Sequence, residues 1–280
     1  MMENYRYLFK FFYIGKKKYS GSQRQKDFLT IEDCLIEALE NKGYIDNIKT
    51  SRFEVASRTD KLVSARGAAF SLITKKKPIL MEINTALPPE IGVWAYSVVP
   101  LDFFSRFNAI QRHYRYIYTK NENIKIRRIN FKVMRRACKQ LEGTHDFINF
   151  SKKEKSKTNT IRTIDLVKIT SINDLIIFDF KSRAFLRQQI RRMVKKILDL
   201  GLGIIDYDQF FDMLNTSIRY SYQPADPRGL ILWDIIYGKD IEFKIDIKSR
   251  ERMLNFFSNQ ERRYNQKYNI YKLLNQSRFS

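Results

Sequence analysis

The sequence carries only two cysteines and two histidines in 280 residues. Cys34 and Cys138 lie far apart, each within a segment patterned as a helix, so neither a disulfide framework nor a thiolate metal site is indicated. Both read as small core residues. His113 and His145 share no ligand spacing with each other or with a cysteine pair, which leaves only an all-carboxylate Mg²⁺ site as a route to metal chemistry. The Gly-x-x-x-x-Gly-Lys phosphate loop and the Gly-x-Gly-x-x-Gly fingerprint are both missing, so no nucleotide cofactor is expected. No run of about 18 apolar residues occurs, and Met1-Met2-Glu3-Asn4-Tyr5-Arg6 lacks a signal-peptide layout. The expectation is a soluble cytoplasmic protein with no membrane partner.

Acid is also scarce relative to base. Lys and Arg number 52 against 30 Asp and Glu, a net charge of +22. Such a surplus sets up a long-range positive field and points to a polyanionic partner, nucleic acid first. The length exceeds that of a usual compact domain, so two domains sharing a cleft are expected.

The patterning is α+β. An aromatic and aliphatic run over 5–14 reads as a strand, followed by a helix over 31–42 capped by Thr30, with Ile31, Cys34, Leu35, Ala38 and Leu39 at helical spacing. Strands are predicted at 48–56, 65–74 and 94–99, with a short helix and turn between Pro78 and Pro89. From His113 the grammar repeats: a strand at 113–119, a helix at 131–142, strands at 163–171 and 175–181, a long helix at 184–200 and a strand near 230–237. No sequence repeat links the two halves. Boundaries are set at 1–106, 107–240 and 241–280, the last a helical tail in which Met253, Leu254, Phe256 and Phe257 form an apolar face. Residues 246–280 carry eight Lys/Arg and three Asp/Glu, a net of +5, and either clamp RNA or cover the core.

Ser57-Arg58-Thr59-Asp60 is a polar knot between two predicted strands. Taken alone it reads as a turn, whose short side chains bond their own backbone. In the 184–200 helix, however, Arg191 stands at the edge of a stripe of Leu186, Ile190, Val194, Ile197 and Leu198. A cation there either snorkels to water or meets a carboxylate, and Asp60 is a suitable partner for a bidentate guanidinium. In Arg112-His113-Tyr114-Arg115-Tyr116, strand alternation sends Tyr114 and Tyr116 to one face and His113 and Arg115 to the other. A tyrosine beside a cleft in a basic protein is either core or a platform for an unstacked base. The loop 151–158 is basic and small-polar, suited to phosphate contacts or to a plain surface loop.

Several blocks in order across roughly residues 5–237 resemble the tRNA pseudouridine synthases of the TruA type, in its archaeal and eukaryotic branch. They are Tyr19-Ser20-Gly21-x-Gln23-Arg24-Gln25; Arg58-Thr59-Asp60 with Val63-Ser64-Ala65; Arg106-Phe107; Arg112-x-Tyr114-Arg115-Tyr116; Gly143-x-His145-Asp146-Phe147; Phe185-Leu186 with Ile190-Arg191-x-Met193-Val194; and Gly229-Leu230-x-Leu232. The resemblance implies two ferredoxin-like halves with antiparallel sheets side by side and a cleft between them. It makes Asp60 catalytic, pairs it with Arg191, packs Tyr114 on the target uracil and links Arg58 to base flipping. Leu230 and Leu232 become apolar wall, and Arg24, Lys61 and Arg106 become further substrate contacts. The implied reaction isomerises uridine to pseudouridine in the 38–40 region of the tRNA anticodon stem-loop; family members commonly form homodimers.

The chain departs from the pattern at four positions. Lys61 and Ser64 follow the archaeal and eukaryotic form, Leu62 replaces a common glycine, and Ser22 replaces a common tryptophan. Two rivals stand beside the enzyme reading: a catalytically inactive tRNA-binding or chaperone protein of the same fold, and a ribosome-associated structural protein supported by charge alone.

Overall fold

A computed structural model describes residues 3–119, 129–152 and 159–275. The first strand, β1 (Tyr5–Tyr13), places Tyr7, Phe9, Phe11 and Tyr13 on one face. There Phe9 stacks on Phe70 at 4.8 Å. Helix α1 (Ile31–Asn41) opens on a Thr30–Asp33 capping box and buries Ile31, Cys34, Leu35, Ala38 and Leu39, as the spacing predicts. Strand β2 is only Glu54–Val55, because residues 47–52 wind into a turn with Arg52 at φ +47°. The predicted strand over 48–56 is thus shortened to its end. Strand β3 (Ser64–Thr74), helix α2 (Leu80–Ala86) and strand β4 (Ile91–Val99) follow.

The second run begins with β5 (Gln111–Thr119) and α3 (Phe131–Leu141), in which Cys138 is buried. Strand β6 (Gly143–Asp146) was not foreseen and pairs with β7 (Ile161–Ile172), which pairs with β8 (Leu175–Ser182). Helix α4 starts at Gln189 rather than 184 and ends at Gly201. The reason is local: Gln188 takes a left-handed conformation at φ +60°, so Phe185 and Leu186 pack from non-helical chain. A short helix, α5 (Tyr207–Asp212), precedes β9 (Leu230–Ile236), β10 (Lys244–Ile245) and the long α6 (Ile247–Leu274). In α6, Met253 is buried and Phe256 and Phe257 meet Phe12, whereas Leu254 is exposed. At i, i+3 and i+4 the first three share a face; Leu254 lies about 100° away from Met253. The helix covers the core up to Phe257, and from Glu261 to Asn275 every residue is exposed.

All ten strands form one sheet in the order β10-β4-β1-β3-β9-β5-β8-β7-β6, with β2 on β3. Pairing is antiparallel except between β3 and β9, where Ser64 faces Ile231 and Ala65 faces Leu232. The expected pair of adjacent sheets is therefore one continuous sheet, joined at this parallel contact. The joint lies four residues beyond Asp60, at the start of β3. Among the described residues no helix is long and apolar enough to cross a membrane, and no group of three or more His, Cys, Asp or Glu could hold a metal ion. The basic loop at 153–158 lies outside the described residues.

Candidate active site

Asp60 sits in the loop that connects β2 to β3, and hydrogen bonds from three sides fix that loop. From β1, the Tyr13 hydroxyl lies 2.7 Å from Thr59 Oγ1. From the chain before α1, Ser22 Oγ accepts from the Thr59 N–H at 2.7 Å and the Ser22 N–H donates to the Thr59 carbonyl at 3.2 Å. Ser22 thus clamps the residue next to Asp60 at two points, one through its hydroxyl and one through its own N–H. The Gly15 N–H donates to Ser64 Oγ at 3.1 Å, and a Cβ on Gly15 would lie 2.3 Å from the Leu62 carbonyl carbon, so only glycine lets β1 end this close to the loop. The loop closes through the Val63 N–H on the Asp60 carbonyl at 3.2 Å, with Leu62 at φ +70°. Leucine therefore adopts the left-handed conformation that glycine would take freely, at a cost of about 1 kcal/mol.

The third side is Arg112 of β5. Its Nε donates to Ser57 Oγ at 2.7 Å, and its Nη2 donates to the carbonyls of Ala56 at 2.9 Å and Arg106 at 2.8 Å. Nη1 donates to the Arg183 carbonyl. One guanidinium thereby ties the Asp60 loop to the 100–110 crossover and to the segment that carries Phe185. Burial depresses its affinity for the proton.

Arg191 lies on α4 beside the buried Ile190, Val194, Ile197 and Leu198, and is itself only 8% exposed. Its Nη1 donates to Asp60 Oδ2 at 2.7 Å, while its Nε donates to the Ala225 carbonyl at 2.8 Å. The predicted partner is therefore the observed one, but the contact is made through one nitrogen and one oxygen. The bidentate fork is not formed: Nη1 alone meets the carboxylate, and Nε serves the backbone. This arrangement leaves Asp60 Oδ1 outside the ion pair on a side chain 31% exposed. A carboxylate held at one oxygen and accessible at the other can act on a ligand as nucleophile or base.

Tyr114 is buried in the sheet face that looks toward the helices, opposite Leu232 in the register. Its ring meets Phe185 edge-on at 5.4 Å. Burial pushes its phenol up to about 12, against the opposing pull of Arg112, so it stays neutral at any working pH. Strand alternation holds as predicted: Tyr116 shares its face, while His113 and Arg115 both bond Asp179 on the other, at 2.7 and 2.9 Å. Leu230 and Leu232 are buried against Tyr116 and Tyr114 in register.

Arg24, Arg58, Lys61 and Arg106 are all exposed. Arg58 and Lys61 flank Asp60 on its own loop. Arg24 is fixed only by its backbone N–H on Glu32, and the Arg106 guanidinium lies 5.7 Å from the Phe107 ring; neither touches the Asp60–Arg191 pair. Tyr13, Ser22 and Ser57 went unrecognised as loop supports. Only Tyr13 had a legible signal, its position at the end of a strand; the other two act through hydroxyls whose partners, the Thr59 N–H and Arg112 Nε, lie far away in the sequence.

Comparison with known proteins bears on the family of the chain. A family model described as tRNA pseudouridine synthase matches residues 137–238. The chain is 36% identical to tRNA pseudouridine synthase A of Methanothermobacter thermautotrophicus, over 90% of this chain and 88% of the relative. It is also 36% identical to that of Methanosarcina mazei, over 86% and 87%, and 34% identical to that of Pyrococcus furiosus, over 84% and 85%. Identity at this level along nearly the whole of each chain means that the protein belongs to the tRNA pseudouridine synthase A family.

Proposed function

We infer that Asp60 performs, on tRNA, the uridine-to-pseudouridine isomerisation of this family. The observation that carries the reading is the ion pair between Asp60 and Arg191, 131 residues apart in the chain, formed beside the buried Tyr114–Phe185 pair. Arg191 reaches across the fold to orient one carboxylate oxygen, and a loop braced by Tyr13, Ser22 and Arg112 holds the other toward the cleft. The reaction exchanges the N1–C1′ bond of uridine for a C5–C1′ bond. The C5 proton leaves and N1 takes up a proton, so composition and oxidation state are unchanged. Asp60 serves by attacking C1′ or C6, or by removing the C2′ proton, and each route needs an ionised carboxylate close to the nucleoside. The freed uracil must turn without escaping, which suits an apolar lining such as Tyr114, Phe185 and Leu230. Reaching that lining takes the uridine out of its stack at a cost of a few kcal/mol, which the phosphate contacts of Arg58, Lys61, Arg24 and Arg106 offset.

Two finer points belong to the same reading. The first half orders its strands β4-β1-β3-β2 and the second β9-β5-β8-β7, the same order for a strand–helix–strand–strand–helix–strand unit once β6, added beyond β7, and the extra helix α5 are set aside. This supports two ferredoxin-like halves, 1–106 and 107–240, followed by the tail 241–280, with the site at their junction. The target lies in the anticodon stem-loop, and the enzyme works without a cofactor. Incubation with unmodified tRNA transcripts, followed by pseudouridine mapping at nucleotide resolution, tests the reading. Modification confined to the anticodon stem-loop supports it. Transcripts that are bound but never modified would instead favour the non-catalytic tRNA-binding alternative.

A further inference from the structure

Next to the candidate site, an open cavity of about 470 Å³ is lined by Arg106, Phe107, Arg112, Ile161, Arg162 and Arg183, with no acidic side chain among the described residues of its wall. Its volume falls within the range of small-ligand pockets. Phe107 is 67% exposed, its ring approached by the Arg106 guanidinium at 5.7 Å and by the edge of Phe104 at 6.1 Å. Among the described residues the buried Arg162 Nε has no hydrogen-bond partner, while its Nη1 donates to the carbonyls of Asn159 and Ile161. Arg112 completes the wall and, through Ser57, also holds the Asp60 loop. Four arginines therefore line a wall that holds an exposed aromatic ring, and Arg112 links that wall through Ser57 to the loop that carries Asp60. A phosphate supplies the missing charge and a base covers the ring. This is the pairing by which proteins hold single-stranded nucleic acid.

We propose that this cavity is a subsite for a second unstacked nucleotide, a neighbour of the target uridine, with its base on Phe107 and its phosphate among Arg106, Arg162 and Arg183. The proposal rests on the reading of Asp60 as the site of chemistry. Holding the neighbour would keep the strand open while the target turns, and would make the choice of uridine depend on which flanking base is free to leave the helix.

The test is a binding cycle with the full chain. Dissociation constants are measured for an intact tRNA transcript and for transcripts carrying one abasic residue at each anticodon stem-loop position in turn. Phe107→Ala is expected to weaken binding of the intact transcript about tenfold, and Phe107→Tyr to restore it to within about twofold. One abasic position should weaken the wild type about tenfold yet barely affect Phe107→Ala. Arg183→Gln should flatten the dependence of log Kd on log salt by about one phosphate contact. Wild-type affinity in Phe107→Ala, or abasic penalties equal in both proteins at every position, would overturn the subsite. Because binding is read without turnover, the cycle can succeed when no pseudouridine forms, or fail when it does. The fate of the subsite is thus separable from that of Asp60. An unchanged thermal midpoint shows that the variants are folded.

Discussion

Arg112 and Arg191 are equally buried, each 8% exposed, yet they use their donors on different things. Arg112 gives all of its contacts to a hydroxyl and three backbone carbonyls drawn from three separate segments. Arg191 gives one to a carbonyl and one to a carboxylate. The first cation thus works as a brace that sets where the loop runs, and the second as a partner that sets how one acid points. Equal burial does not mean equal purpose; the anion separates them.

If that division holds, the two arginines should fail in different ways when removed. Arg112→Met strips four hydrogen bonds and leaves buried carbonyls unmet, so stability should fall by about 3 kcal/mol in a denaturant titration. Arg112→Lys should recover little, since a single ammonium cannot reproduce a planar fork serving four acceptors. Arg191→Met should leave more of the stability intact but cost about a hundredfold in kcat/KM, because Asp60 loses its orienting contact. A variant that lost stability and activity in the same proportion at both positions would erase the distinction.

Glu90 extends the brace idea to an acid. It is 2% exposed and takes Lys16 Nζ at 3.1 Å, Lys18 Nζ at 2.7 Å and the Tyr19 hydroxyl at 3.0 Å, fixing the turn after β1 against the start of β4. Burial alone would raise its carboxyl, but the hydrogen bonds from Lys18 and Lys16 outweigh that and pull it down to about 2 from 4.5. A folded value below the unfolded one stabilises the protein above the unfolded value, and that stability is lost as pH falls toward the folded value. The wild-type melting temperature should therefore drop more steeply than that of Glu90→Gln between about pH 4.5 and pH 2. Parallel curves would show that the lysines contribute nothing there.

The smallest effect is expected at Leu62. Replacement by glycine removes left-handed strain but adds freedom to the unfolded chain, so Leu62→Gly should change stability by no more than about 1 kcal/mol, toward the stable side. A clear loss, seen in the same titration, would mean that the leucine side chain contributes more than its backbone costs.

Much of this was legible from patterning. Helix α1 and strand β5 with its alternating Tyr114 and Tyr116 follow from periodicity; the cost of a buried cation left Arg191 between water and a carboxylate, and the family resemblance named Asp60, which the structure pairs with it. What periodicity misses is where the backbone turns for its own reasons. Arg52 and Gln188 take left-handed conformations that shorten β2 and delay α4, and no side-chain rule assigns either to such a place. The parallel contact of β3 with β9 is likewise a pairing between distant segments, fixed by shape rather than by any local signal. The role of Arg112 stayed hidden because three of its four partners are carbonyls, which every residue has.

The central claim is that the Asp60 carboxylate carries the chemistry while its neighbours hold it in place. It is tested most directly with tRNA transcripts tritiated at C5 of uridine, since forming the C5–C1′ bond releases that hydrogen. Wild-type protein should release tritium to water in proportion to pseudouridine formed. Asp60→Asn, which keeps the size and shape of the side chain, should bind the same transcripts with similar affinity and release tritium slower by a factor on the order of 10⁴ or more. Release by Asp60→Asn at a rate near wild type would contradict the account.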